Sequence, residues 1–584
     1  RTHQRAVLNA MQSAGALTAG RLREALAERL VFARPSVPFV APHFVEMVLQ
    51  SAGDIAPPRI ETTLDAPLQA NVQAIIGSHR ERLQSHGAAN VAVVVLDNAS
   101  GEWLAWEGSG DYFDQAHGGA INGALALRQP GSALKPLTYA LAFESGYTPA
   151  SVLPDIPTHF PTAEPGVLFS PRNYDGRYRG PLLVRRALAG SENVPAVAVA
   201  SELGVPALLR FFTRAGLSTF DRTGAYYGVG ITLGNAEVRL AELVTAYSAF
   251  ARGGSWLAPL AVKLPAGAER RSVDLVSPRT AFWITDILSD ADAREYIFGR
   301  GGALELPFPV AVKTGTSQAY HDNWTIGFTR EVTVGVWVGN FDRTPLRDSS
   351  GVTGAAPIFH AVMLAAARRG RGADGLLAQV PVTAPPGDLE PVEICALSGM
   401  RATGACPSRV REWLPADRGG LPCSWHHASD EGLLVVWPPE YRPWALQQGL
   451  LRDVMASGGG RPFDSPVNGR LAQGRPFDSP VNGRLAQGKT PEGGGPQHAR
   501  TLEIVSPPGG AIYSIDPTLR REFQAVPLRV VAASPMRVEW RVDEERVGVV
   551  SSDEACLWPL APGSHVITAQ DERGGVARTT IVVR

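Results

Sequence analysis

Two of the four lysines in this chain stand in short patterns that can do chemistry at a serine hydroxyl. The 584 residues include 55 Lys and Arg, and all but four of these are arginine. Lys135 closes Ser132-Ala-Leu-Lys135, and Lys313 opens Lys313-Thr314-Gly315. Arginine stays protonated in any protein, whereas a buried lysine can lose its proton and act as a base. We therefore expect this chain to keep lysine where arginine cannot replace it.

Ser132 and Lys135 are three positions apart, a spacing that puts both side chains on one face of a helix. A serine hydroxyl is a weak nucleophile until a base takes its proton. A lysine can be that base if burial and a neighbouring cation lower its pKa, and Lys313 is a candidate for the cation. Gly131 allows close approach at the helix start, where the N-terminus favours developing negative charge. Alone the pattern is weak, because a surface serine near a lysine is common in long chains.

Ser191-Glu192-Asn193 lies between the two lysine motifs. The hydroxyl of Ser191 can relay a proton, and the carboxamide of Asn193 can hold a substrate amide as donor and acceptor at once. The same three residues could instead begin a helix as its N-cap.

Lys313-Thr314-Gly315-Thr316-Ser317 follows an apolar run typical of a strand. Small residues on an edge strand let a peptide substrate pair with the backbone, and the hydroxyls of Thr316 and Ser317 can meet a carboxylate. An ordinary strand end is the alternative. The three patterns in this order make the functional interpretation far stronger than any one of them does.

The order S-x-x-K, S-x-N, K-T-G resembles the signature of penicillin-binding proteins and serine β-lactamases. The resemblance covers about residues 60–370 of the printed sequence. Its further matching segments are residues 62–69, 94–102, 128–136, 322–328 and 334–340. The proline-rich tail and final β domain resemble class A penicillin-binding proteins of the 1C type.

This resemblance implies a fold and a set of roles. The fold is α+β, a penicillin-binding transpeptidase fold in which an antiparallel sheet is flanked by helices, with a C-terminal β-sandwich domain. Ser132 would be the acylated nucleophile, Lys135 its base, and Ser191 with Lys313 the path of the proton to the leaving D-alanine. The N–H groups of Ser132 and Thr316 would form the oxyanion hole. The implied substrate-binding residues are Asn193, Thr314, Gly315, Thr316 and Ser317.

The resemblance also implies partners and a location. The partners are peptidoglycan stem peptides, β-lactam antibiotics and other cell-wall synthesis proteins, and the chemistry needs no metal or organic cofactor. The place is the periplasmic face of the bacterial inner membrane, through an N-terminal anchor that this sequence lacks. Residues 1–50 resemble the segment that follows a family 51 glycosyltransferase domain. Because the chain opens with Arg1 and shows no signal peptide, we expect a fragment or a processed product.

A cysteine cluster leaves three interpretations open. Cys395, Cys406 and Cys423 are followed closely by His426, and Cys556 is far from them. A disulfide of an oxidising compartment, free thiols and a zinc site are all compatible with this pattern. The C-x10-C-x16-C-x2-H spacing lacks the usual close first pair of zinc ligands, so the zinc signal is weak.

Periodicity and turn residues predict the elements that position these motifs. Residues 1–32 are expected to be helical with a break at Gly15. Further helices are predicted at 136–145, 181–203 and 236–252. Strands are predicted at 91–96 and 102–106, forming a hairpin, and at 310–313 and 332–338, forming a second hairpin.

Composition shifts divide the chain into five predicted regions. They are a helical remnant and linker at 1–60, a transpeptidase domain at 61–375, a Pro/Trp/Cys-rich connector at 376–456, a glycine-rich linker at 457–498, and a C-terminal β-sandwich at 499–584. The linker holds two identical copies of RPFDSPVNGRLAQG. Two copies are too few for a solenoid, so a duplicated loop is expected.

Charge and hydropathy exclude some classes of function. The formal net charge of −1 gives no case for nucleic acid or an anionic membrane surface as the main partner. No apolar run approaches the roughly 18 residues that span a bilayer. The function that the resemblance implies is a serine D,D-transpeptidase that cross-links peptidoglycan stem peptides through an acyl-enzyme and is inhibited by β-lactams. Two alternatives stay open: a D,D-carboxypeptidase or β-lactamase-like hydrolase, and a non-catalytic sensor or scaffold.

Overall fold

The structure is a computed structural model, and it describes most of the chain. The described residues are 2–28, 39–53, 57–163, 167–265, 267–369, 381–416, 420–430, 432–451, 502–507, 510–513, 525–532, 536–552 and 554–583. The predicted linker at 457–498, with its tandem repeat, lies outside them.

Residues 1–42 form a small unit of their own. Its helices are α1 (Thr2–Ser13) and α2 (Ala19–Ala27). Gly15, with a φ of +74°, lies between them, and the hydroxyl of Thr18 accepts a hydrogen bond from the Arg21 N–H and caps α2. The predicted helical segment and its break are confirmed for the described residues.

The second unit, His43–Arg584, contains the other helices and strands of the described residues, apart from Pro42, the first residue of α3. Its helices are α3 (Pro42–Ala52), α4 (Ala66–Ser85), α5 (Lys135–Glu144), α6 (Val184–Ala189), α7 (Asn193–Leu203), α8 (Val205–Arg214), α9 (Gly224–Tyr227), α10 (Leu240–Ala251), α11 (Pro278–Ser289), α12 (Ala291–Phe298), α13 (Ala356–Ala367) and α14 (Arg442–Gln447). Its strands are β1 (Asn90–Asp97), β2 (Trp103–Glu107), β3 (Val152–Asp155), β4 (Phe160–Pro161), β5 (Val167–Phe169), β6 (Gly180–Leu183), β7 (Ser255–Trp256), β8 (Val273–Asp274), β9 (Ala311–Thr316), β10 (Asp322–Phe328), β11 (Val332–Gly339), β12 (Leu389–Cys395), β13 (Arg409–Pro415), β14 (His426–Ser429), β15 (Gly432–Val435), β16 (Leu502–Ser506), β17 (Ile512–Tyr513), β18 (Ala525–Ala532), β19 (Arg537–Val542), β20 (Glu545–Ser551), β21 (Cys556–Pro559), β22 (Gly563–Asp571) and β23 (Val576–Val583).

Five antiparallel strands form the central sheet, in the order β2-β1-β11-β10-β9. The predicted hairpin of β1 and β2 is confirmed. The prediction that residues 310–313 and 332–338 form a hairpin with each other is wrong, because β10 lies between β9 and β11 and pairs with both. As a result β9, which carries the second lysine motif, is an edge strand of the sheet.

Helices cover both faces of the central sheet. On one face α4 and α13 share a core with alternate residues of β1 and β11, such as Val93 and Val334. On the other face, Leu240 and Val244 of α10 approach Gly335. A strand buried on both sides takes apolar residues at successive positions, which explains the unbroken apolar run of β1. This is the predicted α+β arrangement of an antiparallel sheet flanked by helices.

The segment 181–203 is not the single helix that its apolar pattern predicted. It contains the end of strand β6, the short helix α6 and then α7. Ser191 interrupts the two helices with a φ of +62°, and Glu192 follows in extended conformation at the N-cap of α7. Ser191 therefore lies in the turn between α6 and α7 and belongs to neither helix.

The proposed connector contains two small sheets, β12 with β13 and β14 with β15, followed by α14. Glu412 of β13 is fully buried and forms an ion pair with Arg185 of α6. The backbone oxygen of Trp413 accepts a hydrogen bond of 2.8 Å from Trp283 Nε1 of α11. These contacts hold the connector against helices α6 and α11.

Two sheets enclose one apolar core in the C-terminal region, as predicted for a β-sandwich. One is β16-β18-β21, and the other contains β20-β19-β22-β23-β17. Leu528, Trp540 and Ile567 are fully buried between them. The second sheet continues beyond this region, because β17 pairs in parallel with β5, which pairs with β4.

In the described part of the chain, no single helix is both long enough and apolar enough to cross a bilayer. Helices α7 and α8 reach the required length and composition only as a pair, across a bend of 94°.

Candidate active site

Ser132 lies in one turn of 3₁₀-helix, Gly131–Leu134, and Lys135 is the first residue of α5. Side chains at i and i+3 eclipse one another in a 3₁₀-helix, so both leave the backbone on the same side. The common face that the spacing predicted therefore arises from a 3₁₀ turn.

The serine turn and the edge strand β9 are in direct backbone contact. A Cβ at Gly131 would lie 2.3 Å from the backbone oxygen of Thr316, and the φ of Gly131 is +56°. A Cβ at Gly315 would lie 2.1 Å from the backbone oxygen of Pro130. These two glycines allow β9 to lie against the turn, which brings Ser132 next to the second lysine motif.

Gly315→Ala is expected to destabilise the protein by about 1–3 kcal/mol, because neither backbone can retreat from an added methyl group. Gly77 offers a matched control: it lies inside α4 with open space around its Cα. Gly77→Ala is expected to stabilise the protein by about 0.5–1 kcal/mol, through helix propensity. The urea midpoints of both variants test this, and two shifts in the same direction would contradict the close approach of β9.

Lys135 is fully buried and donates hydrogen bonds to two residues of the middle motif. Its Nζ lies 2.6 Å from the Ser191 backbone oxygen, 3.5 Å from Ser191 Oγ and 2.7 Å from Asn193 Oδ1. Burial lowers the pKa of Lys135 to about 7, although the carboxylate of Glu192 opposes the shift. A substantial neutral fraction at neutral pH follows, which is what a base needs.

Lys313 reaches the same serine from strand β9. Its Nζ donates to Ser191 Oγ at 2.7 Å and to the Thr314 backbone oxygen at 2.9 Å. Burial, and then the charge of Lys135, lower the pKa of Lys313 well below its usual value. The predicted influence of a neighbouring cation thus acts from Lys135 on Lys313, whereas burial is the cause of the shift at Lys135.

Ser191 and Asn193 occupy the turn where α6 gives way to α7. The left-handed backbone of Ser191 is uncommon for a residue other than glycine, and such conformations cluster at functional sites. Asn193 Nδ2 donates to the Arg172 backbone oxygen at 2.8 Å, and its backbone N–H donates to Asn173 Oδ1 at 2.9 Å. The alternative that this triplet starts a helix is confirmed, since α7 begins at Asn193 with Glu192 at its N-cap, although no side chain makes a capping bond there.

The residues of the three motifs border one cleft of about 700 Å³. The predicted site residues that line it are Ser132, Ser191, Asn193, Thr314, Gly315, Thr316 and Ser317. Lys135 and Lys313 are buried and connect to the cleft through Ser191. All nine predicted residues therefore meet at one place.

Two of the predicted hydroxyls already have partners in the protein. Thr316 Oγ1 accepts a hydrogen bond of 3.0 Å from the Gly351 N–H, and Ser317 Oγ accepts one of 2.8 Å from the Asp322 N–H. The Thr316 hydroxyl, which accepts one such bond, can still donate its own proton to a ligand, whereas the Ser317 hydroxyl also bonds to the side chain of Asp322. The two side chains are thus oriented before any substrate arrives.

Sequence reasoning missed a buried acidic network behind the middle motif. Glu192 is 3% exposed and pairs with Arg179 at 3.1 Å. Burial raises the pKa of Glu192 to about 7, against the lowering effect of Arg179. Burial likewise raises the pKa of Asp155 to about 6, although a hydrogen bond from Asn173 opposes this. No motif pointed to these residues, because the middle position of Ser191-Glu192-Asn193 carried no assigned role.

Part of the cleft lining is aromatic, and sequence reasoning missed this as well. Phe169, Tyr174 and Tyr226 line the cleft, and Phe169 belongs to β5. Because β5 pairs with β17, the C-terminal region is joined by backbone hydrogen bonds to a strand of the cleft wall.

Two family profiles match this chain. The "Penicillin binding protein transpeptidase domain" matches residues 91–364, which include the three motifs and the central sheet apart from the first residue of β1. The "Penicillin-Binding Protein C-terminus Family" matches residues 491–583. The chain belongs to the penicillin-binding proteins.

Similar proteins agree with this assignment. The chain is 30% identical to penicillin-binding protein 1C of Escherichia coli over 419 residues, 70% of this chain and 50% of that protein. It is 28% identical to penicillin-binding protein 1A of Neisseria gonorrhoeae, over 46% of this chain and 34% of that protein. The chain thus spans half or less of the curated relatives it matches. The pairing of the two domains and the similarity to the 1C protein are consistent with a class A protein of the 1C type.

The fold has a counterpart among solved structures. Penicillin-binding protein 1A from Haemophilus influenzae matches with a TM-score of 0.57 at 20% identity, over 72% of this chain and 82% of that one. At this identity the likeness supports the penicillin-binding transpeptidase fold.

Proposed function

We propose that this chain is a serine D,D-transpeptidase that cross-links peptidoglycan stem peptides through an acyl-enzyme and is inhibited by β-lactams. The observation that carries the proposal is the meeting of two buried lysines at Ser191, beside a cleft that Ser132 and β9 border. A serine, a base of lowered pKa and a second proton carrier are the parts that acyl transfer needs.

In the proposed acylation step, Ser132 Oγ attacks the carbonyl carbon between the two terminal D-alanines, and Lys135 takes the hydroxyl proton. The N–H groups of Ser132 and Thr316 hold the oxyanion. The bond to the last D-alanine then breaks, and its amine receives a proton through Ser191 and Lys313. The contact of 2.7 Å between Ser191 Oγ and Lys313 Nζ supports this path.

In the second step, the amine of another stem peptide attacks the acyl-enzyme and releases Ser132. Strand β9 offers its free edge for the donor peptide to pair with, and Asn193 holds a peptide amide. The terminal carboxylate of the donor peptide binds against the end of β9 and the residue after it, at Thr314, Gly315, Thr316 and Ser317. A β-lactam acylates the same serine, because its strained amide occupies the position of the D-alanyl bond.

The remaining partners and the place of action follow from this reaction. Stem peptides of cell-wall peptidoglycan lie outside the cytoplasm, so we propose action at the periplasmic face of the inner membrane. Other cell-wall synthesis proteins are the proposed partners of the parts of the protein away from the cleft.

One assay separates the proposal from its alternatives. The chain is incubated with a stem-peptide donor and an amine acceptor, and cross-linked and hydrolysed products are counted, with Ser132→Ala as control. Cross-linked product that depends on Ser132 is expected. Mainly hydrolysed product would identify a carboxypeptidase. Rapid turnover of added penicillin would identify a β-lactamase. No product at all would identify a sensor or scaffold.

The rate of penicillin acylation is expected to rise with pH through about 7. Lys135, whose pKa is lowered to about 7, is protonated below that value and cannot accept the proton of Ser132. Above it the neutral amine dominates, and the rate reaches a plateau. The second-order rate constant of acylation, measured over roughly two pH units on either side, tests this. A rate that falls as the pH rises through 7 would contradict the assignment of Lys135 as base.

A further inference from the structure

Four buried side chains of the connector meet far along the chain from the catalytic motifs. We call them the thiol–imidazole cluster, and its members are Cys395, Cys406, Cys423 and His426. One ligand atom from each lies within 4.8 Å of those of all the others. The cysteines are free thiols, none of them bonded to another.

The four members of the cluster come from four separate segments of the connector. Cys395 ends β12, Cys406 lies in the turn that leads to β13, and His426 begins β14. The backbone N–H of Cys423 donates to the Arg401 oxygen at 2.8 Å, which fixes the loop before β14 against the turn after β12. The wide sequence spacing thus closes into one compact site, although it lacks the usual close first pair.

We propose that the thiol–imidazole cluster is a structural zinc site. Its donor set of three thiolates and one imidazole is typical of closed zinc sites, in which protein atoms fill all four tetrahedral positions. Bonds of about 2.3 Å to sulfur and about 2.0–2.1 Å to nitrogen put sulfur and nitrogen about 3.6 Å apart in such a tetrahedron. The observed separations of His426 Nδ1 from Cys395 Sγ and Cys423 Sγ are 3.3 and 3.4 Å.

The surroundings of the sulfur atoms support thiolates that bind a metal. Ser398 Oγ donates to Cys423 Sγ at 3.2 Å, and the Thr403 N–H donates to Cys406 Sγ at 3.3 Å. Such outer hydrogen bonds orient metal ligands and stabilise their charge. Binding of Zn²⁺ releases the thiol protons to solvent and forms four coordinate bonds, with no change of oxidation state.

A disulfide fits this geometry less well than a metal does. A disulfide joins two sulfur atoms and would leave the third thiol and the imidazole without a function at the same point. The sheets of the connector have only two strands each, and sheets of this size depend on further contacts for their stability. A single ion bound by all four residues ties β12, the following turn and β14 together.

The zinc site has a physical connection to the cleft. The connector's Trp444 ring lies against Gly180, where an added Cβ would be 2.5 Å from the ring. Its Nε1 donates to the Tyr178 backbone oxygen at 3.2 Å. The same loop supplies Asn173, which accepts the backbone N–H of Asn193 in the middle motif. Trp425, which precedes His426, packs against Trp437, and Trp437 packs against Trp444. These rings link the cluster to the loop that supports the middle motif, while the cluster touches none of the reacting groups.

Zinc content tests the proposal directly. The chain, free of any histidine tag, is purified without chelator and its metals are measured by mass spectrometry. We expect about one zinc ion per chain, since a closed tetrahedral site takes one ion. Cys406→Ser and Cys423→Ser are expected to lose most of this zinc. Cys556→Ser is the matched control, because Cys556 is equally buried but far from the cluster, and it should keep the full amount.

A second measurement on the unaltered chain keeps the test decisive if the variants fail to fold. A mercurial reagent is titrated against the thiols while a chromogenic chelator reports the released metal. Release of zinc in step with the cluster's thiols is expected. Absence of zinc, iron in its place, or a disulfide among the three cysteines in the intact mass would overturn the assignment.

Discussion

Lys135→Arg is expected to lower the rate of penicillin acylation by on the order of 10²–10⁴-fold, the usual contribution of a general base. Arginine cannot deprotonate, so Ser132 would lose the group that takes its proton. The variant should remain folded, because arginine can still donate to Ser191 and Asn193 and the carboxylate of Glu192 favours a positive charge at this position. The second-order rate constant of acylation measures the effect, and the thermal midpoint checks the fold.

Lys313→Arg is the variant to compare with Lys135→Arg. Lys313 donates to Ser191 Oγ but is not assigned the proton of Ser132. We expect Lys313→Arg to be acylated at least about tenfold faster than Lys135→Arg. It should still be acylated more slowly than the unaltered chain, because the larger arginine side chain crowds the site.

Lys263 supplies the matched control, since it is exposed and belongs to none of the motifs. Lys263→Arg should acylate at the rate of the unaltered chain. If Lys135→Arg acylates as fast as Lys263→Arg, the assignment of Lys135 as base is wrong.

Arg185→Met is expected to destabilise the protein by about 3–5 kcal/mol, the cost of leaving one member of a buried ion pair alone. Arg185 of α6 forms ion pairs with Glu412 of the connector and with Asp286 and Asp290 near α11. Glu412 is fully buried, so its carboxylate could not regain water when the guanidinium is removed. The shift of the urea midpoint measures the effect.

Two further variants separate the ion pair from the loss of a side chain. Arg411 precedes Glu412 on β13 but is exposed, and Arg411→Met should change stability by less than about 0.5 kcal/mol. Adding Glu412→Leu to Arg185→Met should recover much of the loss, because no unpaired charge then remains buried between the two elements. Equal midpoints for Arg185→Met and Arg411→Met would show that the pair does not hold the connector in place.

The sequence could predict those parts of the site in which the residues lie close together along the chain. Ser132 and Lys135 share one turn, and Lys313 through Ser317 share one strand, so their order in the chain carries their proximity. The β1–β2 hairpin was predictable for the same reason, because its turn joins neighbouring segments.

What escaped prediction depends on pairing between distant segments or on burial. The hairpin assigned to 310–313 and 332–338 failed because apolar runs specify strands without specifying which strands are neighbours. Glu192 gave no signal, since an acidic residue before a helix is usually solvated and only the tertiary structure buries it beside Arg179. The pairing of β17 with β5 joins segments hundreds of positions apart, which no local pattern encodes.

The cysteine cluster could be predicted from the sequence only in part. Spacing alone left a disulfide, free thiols and zinc open, because the ligands come from separate turns. Only the folded connector brings the three sulfurs and the imidazole of His426 together.

The most direct test of the proposed function is the position of the penicillin adduct. The folded chain is incubated with fluorescent penicillin, digested, and mapped by peptide mass, with Ser132→Ala treated in parallel. We predict one covalent adduct per chain, on Ser132, and no label on the variant. An adduct on any other serine, or no adduct on a folded chain, would contradict the assignment of Ser132 as the nucleophile.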